Sequence, residues 1–215
     1  MNFKSSLVLF LFSIIFINCF ADSCTKSAKP DYYHRTMVTL GDSITYADYG
    51  EFLRCMLDNQ GIGYDFIGSK IDKFGFRHEG YGGYNTQNII DLRLKEISSA
   101  DAYFILLGTN DINFTPMQTV SNLMTIGIYL HTKNPNAIIY MSTLLPRYKP
   151  YHERNIQVND ILKSNKWGNN IQILDVGGDF LAQPNWKSYL LPDVLHPNYA
   201  GYSIITWSII KNIYN

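Results

Sequence analysis

A chain of 215 residues can form one α/β domain with a sizeable core, but it is too short for two ordinary ones. At 46% hydrophobic and 17% charged residues, its composition excludes an intrinsically disordered chain. Lys plus Arg and Asp plus Glu number 18 each, so the balance carries no electrostatic footprint for nucleic acid or an anionic membrane surface.

Lys4 precedes an apolar run over residues 7–20, interrupted by Ser13 and Asn18. This is the charged start and apolar centre of a secretory signal, and it falls short of the ~20 apolar residues a membrane span needs. Cleavage after Ala21 places Cys19 and Ala21 at positions −3 and −1. Residues 1–21 are therefore expected to be a cleaved signal and 22–35 a polar leader. The mature product is expected to be secreted or periplasmic, with no stable membrane insertion. A lipid anchor at Cys19 competes, but Phe16, Ile17 and Asn18 fit a lipidation site poorly. Loss of Cys19 leaves Cys24 in the leader and Cys55 on the first predicted helix. In an oxidising compartment, one disulfide and two unpaired thiols stand as equal alternatives.

From residue 36 onward strands and helices alternate. Residues 37–40 form a short apolar strand, and 49–59 a helix with Phe52, Leu53, Met56 and Leu57 at helical spacing. Gly61 and Gly63 end that helix, 64–67 is a second strand, and Gly68 stops it. Residues 69–85 read as a loop rich in Gly and aromatics. Thr86 can cap a helix running to about residue 97. Residues 102–107 are continuously apolar, as in the buried centre of a parallel sheet. Helices over 117–131, 152–164 and 200–213 alternate with strands over 137–141 and 171–174. This order predicts one α/β domain over residues 36–215, with a doubly wound, five-stranded parallel sheet. Ligands of such sheets lie outside the carboxyl ends of the strands.

Four segments lie where that rule puts a ligand. Gly41-Asp42-Ser43-Ile44-Thr45 follows the first strand, where a tight turn would present the Ser43 hydroxyl and its amide. His78-Glu79-Gly80-Tyr81-Gly82-Gly83-Tyr84 contains paired glycines that let backbone approach a ligand. Gly108-Thr109-Asn110-Asp111 follows the central strand, and an Asn side chain can donate to an oxyanion. Asp193-Val194-Leu195-His196-Pro197 puts an acid three residues ahead of a histidine, a spacing that allows the carboxylate to orient the ring. His78, His131 and His152 lack such an acid, and His34 with Asp31 lies in the leader. Each segment alone reads equally as a turn, loop tip or helix cap. Together they supply a nucleophile, a base, an orienting acid and two further oxyanion donors.

The order of these segments resembles the SGNH hydrolases, the GDSL-type esterases and lipases, over nearly all of the mature chain. The resemblance implies a flavodoxin-like three-layer fold. It implies Ser43 as nucleophile, Asp193 and His196 as acid and base, and an oxyanion hole of Ser43, Gly83 and Asn110. Within the superfamily, Tyr64-Asp65-Phe66-Ile67-Gly68-Ser69, His78-Glu79-Gly80 and Leu195-His196-Pro197-Asn198 with Gly201-Tyr202 are similar to the acetylxylan-esterase-like carbohydrate deacetylases. Tyr46 stands where a glycine is common and Tyr84 where a Trp often follows, and both are expected to line the substrate pocket. The implied function is hydrolysis of short-chain acetyl esters on small-molecule or polysaccharide substrates, by two-step acyl transfer without metal or cofactor. A lipid or thioester acylhydrolase and a catalytically silent carbohydrate-binding module compete with it.

Overall fold

Strand β1 (Thr36–Gly41) buries every residue after Thr36, on both of its faces. A strand with no exposed face needs a layer of helices on either side. The computed structural model, which describes Cys24, residues 35–168 and residues 170–214, has that arrangement. Strand β5 (Ala102–Leu106) pairs in parallel with β1, β6 (Ile138–Ser142) with β5, and β7 (Ile171–Leu174) with β6. The opposite edge of β1 is shared. Strand β2 (Asp65–Ile67) lies in parallel along Thr36, Met37 and Val38, and β4 (Arg77–Gly80) along Leu40 and Gly41. Strand β3 (Lys70–Ile71) runs antiparallel to β4 and completes a seven-stranded sheet.

All five expected strands are present and parallel. The difference is the segment 69–85, expected as a loop, which contains β3 and β4. Strand β4 gives no apolar signal because the side chains it buries are His78 and Glu79. Its hairpin is set by Asp72, whose Oδ1 accepts the amides of Phe74 at 3.0 Å and Phe76 at 2.9 Å. An Asx-type turn of this kind needs no alternating pattern.

Side chains of successive strand residues leave the sheet on opposite faces, and the core divides accordingly. On one face Val38, Leu40 and Ile105 meet Leu123, Ile126 and Leu130 of α3 (Pro116–Lys133). There α3 packs between α2 (Thr86–Leu92) and α4 (Tyr151–Ser164). On the other face Met37, Phe104 and Leu106 meet Leu53 and Leu57 of α1 (Ala47–Asn59) and Ile205 and Ile209 of α6 (Tyr199–Tyr214). The short α5 (Val176–Leu181) packs beside α6. Neither α5 nor the 3₁₀ turn at Trp186–Tyr189 was expected from periodicity, since each spans fewer than two α-helical turns.

Helix α2 is shorter than expected and ends at Leu92. Its cap is Asn85, which exchanges side chain-to-backbone bonds with Asn88. Thr86, the expected cap, instead donates its hydroxyl to Asp111 at 2.5 Å. Cys24 and Cys55 form a disulfide, with Cα atoms 6.0 Å apart. The expected signal and all of the leader except Cys24 and Arg35 lie outside the described residues. Among the described residues, no helix is long and apolar enough to cross a membrane.

Candidate active site

The chain reverses direction directly after β1. The Asp42 carbonyl accepts the amides of Thr45 at 3.1 Å and Tyr46 at 2.9 Å, while Asp42 Oδ1 accepts the Ile44 amide at 3.0 Å. Ser43 is thus presented at the carboxyl end of the strand. Three elements press on this turn. Gly80 ends β4 so close to it that a Cβ there would lie 2.6 Å from the Thr45 carbonyl carbon and the Tyr46 nitrogen. Arg54, fully buried on α1, donates to the Thr45 carbonyl at 2.8 Å and pairs with Asp72 at 2.7 Å. Tyr202 of α6 donates its hydroxyl to the Ile44 carbonyl at 2.9 Å.

The histidine stands on a closed loop. Leu190 and Pro197 form a bridge, and inside it the Leu191 amide reaches the His196 carbonyl at 2.7 Å. Val194 at the tip has φ of 51°, a left-handed conformation that a β-branched residue adopts only under constraint. Its carbonyl accepts the Tyr148 amide at 3.1 Å, which fixes the loop to the segment after β6.

This loop brings His196 and Asp193 to Ser43. His196 Nδ1 lies 2.7 Å from Asp193 Oδ2, and His196 Nε2 lies 2.8 Å from Ser43 Oγ. With a neutral ring protonated at Nδ1, the imidazole donates to the carboxylate and accepts the serine hydroxyl. The amides of Leu195 and His196 both donate to Asp193 Oδ1 at 3.0 Å. Burial pushes the Asp193 carboxyl up, but its bonds from the His196 ring and these two amides outweigh that and leave it below the ordinary carboxylate value. Asp193 is therefore ionised at physiological pH.

Gly83 and Asn110 lie on neighbouring segments. Gly83 has φ of 77° and open space where a Cβ would stand, so glycine both permits the turn and leaves the approach to its amide clear. The amides of Ser43 and Gly83 have no acceptor among the described residues. Asn110 gives one N–H to the Tyr84 carbonyl at 3.0 Å, which leaves its second for a ligand. Asp111 beside it is structural. Buried, it accepts the Thr86 amide at 2.8 Å and the hydroxyls of Thr86 and Thr119 at 2.5 and 2.8 Å. Tyr84 stacks on Tyr81 at 5.3 Å, and Tyr46 meets the edge of His78 at 6.2 Å. Lys70 bridges these two aromatic pairs, 4.3 Å from the Tyr81 ring and 4.9 Å from that of Tyr46.

His78 takes no part in this chain of bonds. It is buried, and its Nδ1 accepts the Gly80 amide at 3.0 Å. Burial, followed by the charges of Arg54 and Lys70, drives it down to about 3, so it is neutral at physiological pH.

Two charged residues at the site escaped the sequence reading. Asp42 is fully buried beneath Ser43, and its Oδ2 lacks a partner among the described residues. Burial raises its pKa to about 6 against the opposing Ile44 amide bond and the His196 charge. Arg147 donates to the Thr109 carbonyl at 2.5 Å and lies 4.8 Å from the Tyr151 ring. Its charge acts on Asp42, and burial holds its own pKa below the ordinary value. A basic residue shortly beyond the expected strand over 137–141 was the available signal, because that end of the sheet carries the site.

Comparisons with known proteins agree with this architecture. The GDSL-like lipase/acylhydrolase family matches the chain over residues 39–204. The platelet-activating factor acetylhydrolase IB subunit alpha2 of Rattus norvegicus is 30% identical over 135 residues, 59% of this chain and 58% of its own length. Its Homo sapiens counterpart matches to the same extent. The chain thus spans less than two thirds of these relatives. Among solved structures, a mutant acetyl esterase with an acetate ion superposes with a TM-score of 0.68 at 19% identity, covering 83% of this chain and 96% of that one. A carbohydrate esterase family 3 protein from Talaromyces cellulolyticus gives 0.66 at 20% identity, with the same coverage. An acetyl-xylooligosaccharide esterase from Geobacillus gives 0.65 at 17%, covering 85% and 95%. These likenesses establish the three-layer fold with its mostly parallel sheet, and the match over residues 39–204 establishes the family: the chain belongs to the GDSL-like lipase/acylhydrolase family.

Proposed function

We propose that the protein is a secreted acetyl esterase acting on carbohydrate, with Ser43 as nucleophile, His196 as general base and Asp193 as the acid that orients the ring. The observation that carries this is the unbroken chain of hydrogen bonds from Ser43 Oγ through His196 to Asp193, at 2.8 and 2.7 Å. A hydroxyl bonded to an imidazole that is itself held by a carboxylate is the arrangement that activates serine for acyl transfer. As Ser43 Oγ bonds to the ester carbonyl carbon, its proton passes to His196 Nε2. The carbonyl oxygen becomes an oxyanion, received by the amides of Ser43 and Gly83 and the side chain of Asn110. The bond to the alcohol oxygen then breaks, and Nε2 returns the proton to the leaving alcohol. Water, deprotonated in turn by His196, releases the acid and restores Ser43.

The acyl group is proposed as acetyl because the named relatives are acetylhydrolases and two of the structural neighbours above are an acetyl esterase and an acetyl-xylooligosaccharide esterase. The alcohol half is where two readings part. Carbohydrate is favoured by the neighbours' names and by the polar rim of Tyr46, Lys70 and Tyr84. Lipid is the second reading, favoured by the 30% identity to a platelet-activating factor acetylhydrolase. Secretion is supported by the charged start and apolar run of residues 1–21 and by the Cys24–Cys55 disulfide, a bond that persists in oxidising compartments.

The test is hydrolysis of p-nitrophenyl esters from acetate to long chains, for the wild type beside Ser43→Ala, with acetate release from acetylated xylan in parallel. The expected result is a preference for acetate that falls by about 10⁴-fold or more in Ser43→Ala, together with acetate release from xylan. Asn110→Ala should slow the acetate ester by about 10²–10³-fold. A preference for long chains overturns the acetyl assignment, and undiminished turnover in Ser43→Ala overturns the mechanism.

A further inference from the structure

Strand β3 and the end of α2 carry two cations to the rim of this site, and ester cleavage uses neither. Lys70 lies over the Tyr81 and Tyr46 rings at 4.3 and 4.9 Å. Arg93, at the C-cap of α2, lies 5.1 Å from the Tyr81 ring and 6.0 Å from that of Tyr84, whose hydroxyl accepts its Nη2 at 3.5 Å. Aromatic faces hold a cation in place without cancelling its charge.

Neither charge is fully met inside the protein. Lys70 makes no ion pair among the described residues. The carboxylate whose charge reaches it, Glu79, spends its oxygens on the Ser69 amide at 2.6 Å, the Ser69 hydroxyl at 2.8 Å and the Tyr81 hydroxyl at 2.5 Å. Arg93 has a surface pair with Glu96 at 3.3 Å, whose carboxylate is 69% exposed and therefore binds weakly. Its Nε is buried and without a partner among the described residues. Burial first, and then the like charge of Arg93, hold Lys70 below the ordinary lysine value. An external anion between the two groups would relieve that repulsion.

The pair is also tied to the reacting centre through the backbone. Tyr84 follows Gly83, and its carbonyl is the group that holds Asn110. Tyr46 lies three residues after Ser43 in the same turn.

We propose that Lys70 and Arg93, held on Tyr46, Tyr81 and Tyr84, bind a carboxylate of the substrate, so that the ester cleaved is an acetyl group on a uronic-acid-bearing carbohydrate. This rests on the acetyl esterase reading and names its substrate class. A guanidinium and an ammonium that lie 5.1 and 4.3 Å from one ring centroid and feel each other's charge suit a carboxylate, whose two oxygens can engage both. A phosphocholine headgroup would offer the pair a phosphate, but its quaternary ammonium would bring a further positive charge beside theirs.

The test compares a mono-O-acetylated glucuronide with the glucoside of the same aglycone and acetyl position, so that only the carboxylate differs. The wild type is expected to favour the glucuronide in kcat/KM, mainly through KM, and to lose that preference as salt is raised. In Lys70→Gln and in Arg93→Gln the glucuronide-to-glucoside ratio should fall about tenfold, and Lys70→Arg should retain it. Equal rates on the two sugars, or variants that slow both alike, overturn the proposal. So does a preference for an acetylated glycerophosphocholine over both sugars. Calorimetry with Ser43→Ala and unacetylated glucuronate oligosaccharide separates this from the esterase reading. If no ester is cleaved, salt-sensitive binding that Lys70→Gln weakens about tenfold still supports the anion site, and its absence removes it.

Discussion

Asp42 shows how much one residue can change with its surroundings. In sequence it is a turn former; in the structure it is a carboxyl with no solvent contact beneath the serine. Burial lifts its pKa from the ordinary 3.8 to about 6, and this sets the sign of its effect on stability. An acid whose folded pKa is raised stabilises the protein fully below its unfolded value. That stability is lost as pH rises through the folded value. A shift of about two units corresponds to about 3 kcal/mol. Asp193 and Asp179 act in the opposite direction. For Asp179, bonds from Ser208, Lys211 and Asn212 outweigh burial and lower the pKa, as they do for Asp193 with its own partners. Their stabilisation is present above the ordinary carboxylate range and lost as pH falls. Asp42→Asn keeps the Oδ1 acceptor for Ile44 and removes only the titration. In urea unfolding from pH 4 to 7, the variant should gain about 2 kcal/mol relative to wild type, the larger part of that linkage. Parallel curves for the two proteins would show that Asp42 does not titrate there.

At the scale of elements, the β3–β4 hairpin explains both what the sequence conceals and what holds the serine turn. Apolar runs such as Ala102–Leu106 announce themselves, and so do helices like α3, whose apolar residues return every three or four positions. The hairpin offers no such pattern. Its order comes from polar groups that meet far apart in the chain: Asp72 with Arg54, and Glu79 with Ser69. The same limit applied to the site. Ser43, Asn110, Asp193 and His196 sit in short segments that can be read locally, whereas the approach of Lys70 and Arg93 to Tyr81 is visible only once the hairpin is folded. Arg54 joins hairpin, α1 and serine turn with both members of its ion pair fully buried. Arg54→Met would strand Asp72 as an unpaired buried charge, at a cost of about 3–5 kcal/mol. Adding Asp72→Asn removes that charge while keeping acceptors for the Phe74 and Phe76 amides. The double variant should therefore recover at least ~1 kcal/mol in chemical unfolding. Strictly additive losses would mean that the pair is not coupled.

At the scale of the whole molecule, the disulfide decides how the N-terminal segment is joined to the sheet. Cys24 precedes β1 and Cys55 lies within α1, so the bond closes a loop around the first strand and the serine turn, with a sequence separation of 31. The sequence alone left pairing and free thiols equal, because spacing cannot report distance. The fold brings the two residues together by returning α1 along the face of the sheet that β1 opens. Cross-linking over such a separation restricts the unfolded chain by about 3–4 kcal/mol in the loop-entropy account. Cys24→Ser, with Cys55→Ser beside it to exclude effects of a lone thiol, should lower unfolding free energy by that amount. The serine turn is held by Asp42 on the Ile44 amide, Arg54 on the Thr45 carbonyl and Tyr202 on the Ile44 carbonyl, so its supports are hydrogen bonds that the disulfide does not make. Turnover of p-nitrophenyl acetate at 25 °C should therefore stay within about twofold of wild type, while the Tm falls by roughly 5–15 °C at this chain length. A reductant titration of the wild type should reproduce both results. Loss of turnover at temperatures where the variant is still folded would instead place the bond among the supports of the serine turn.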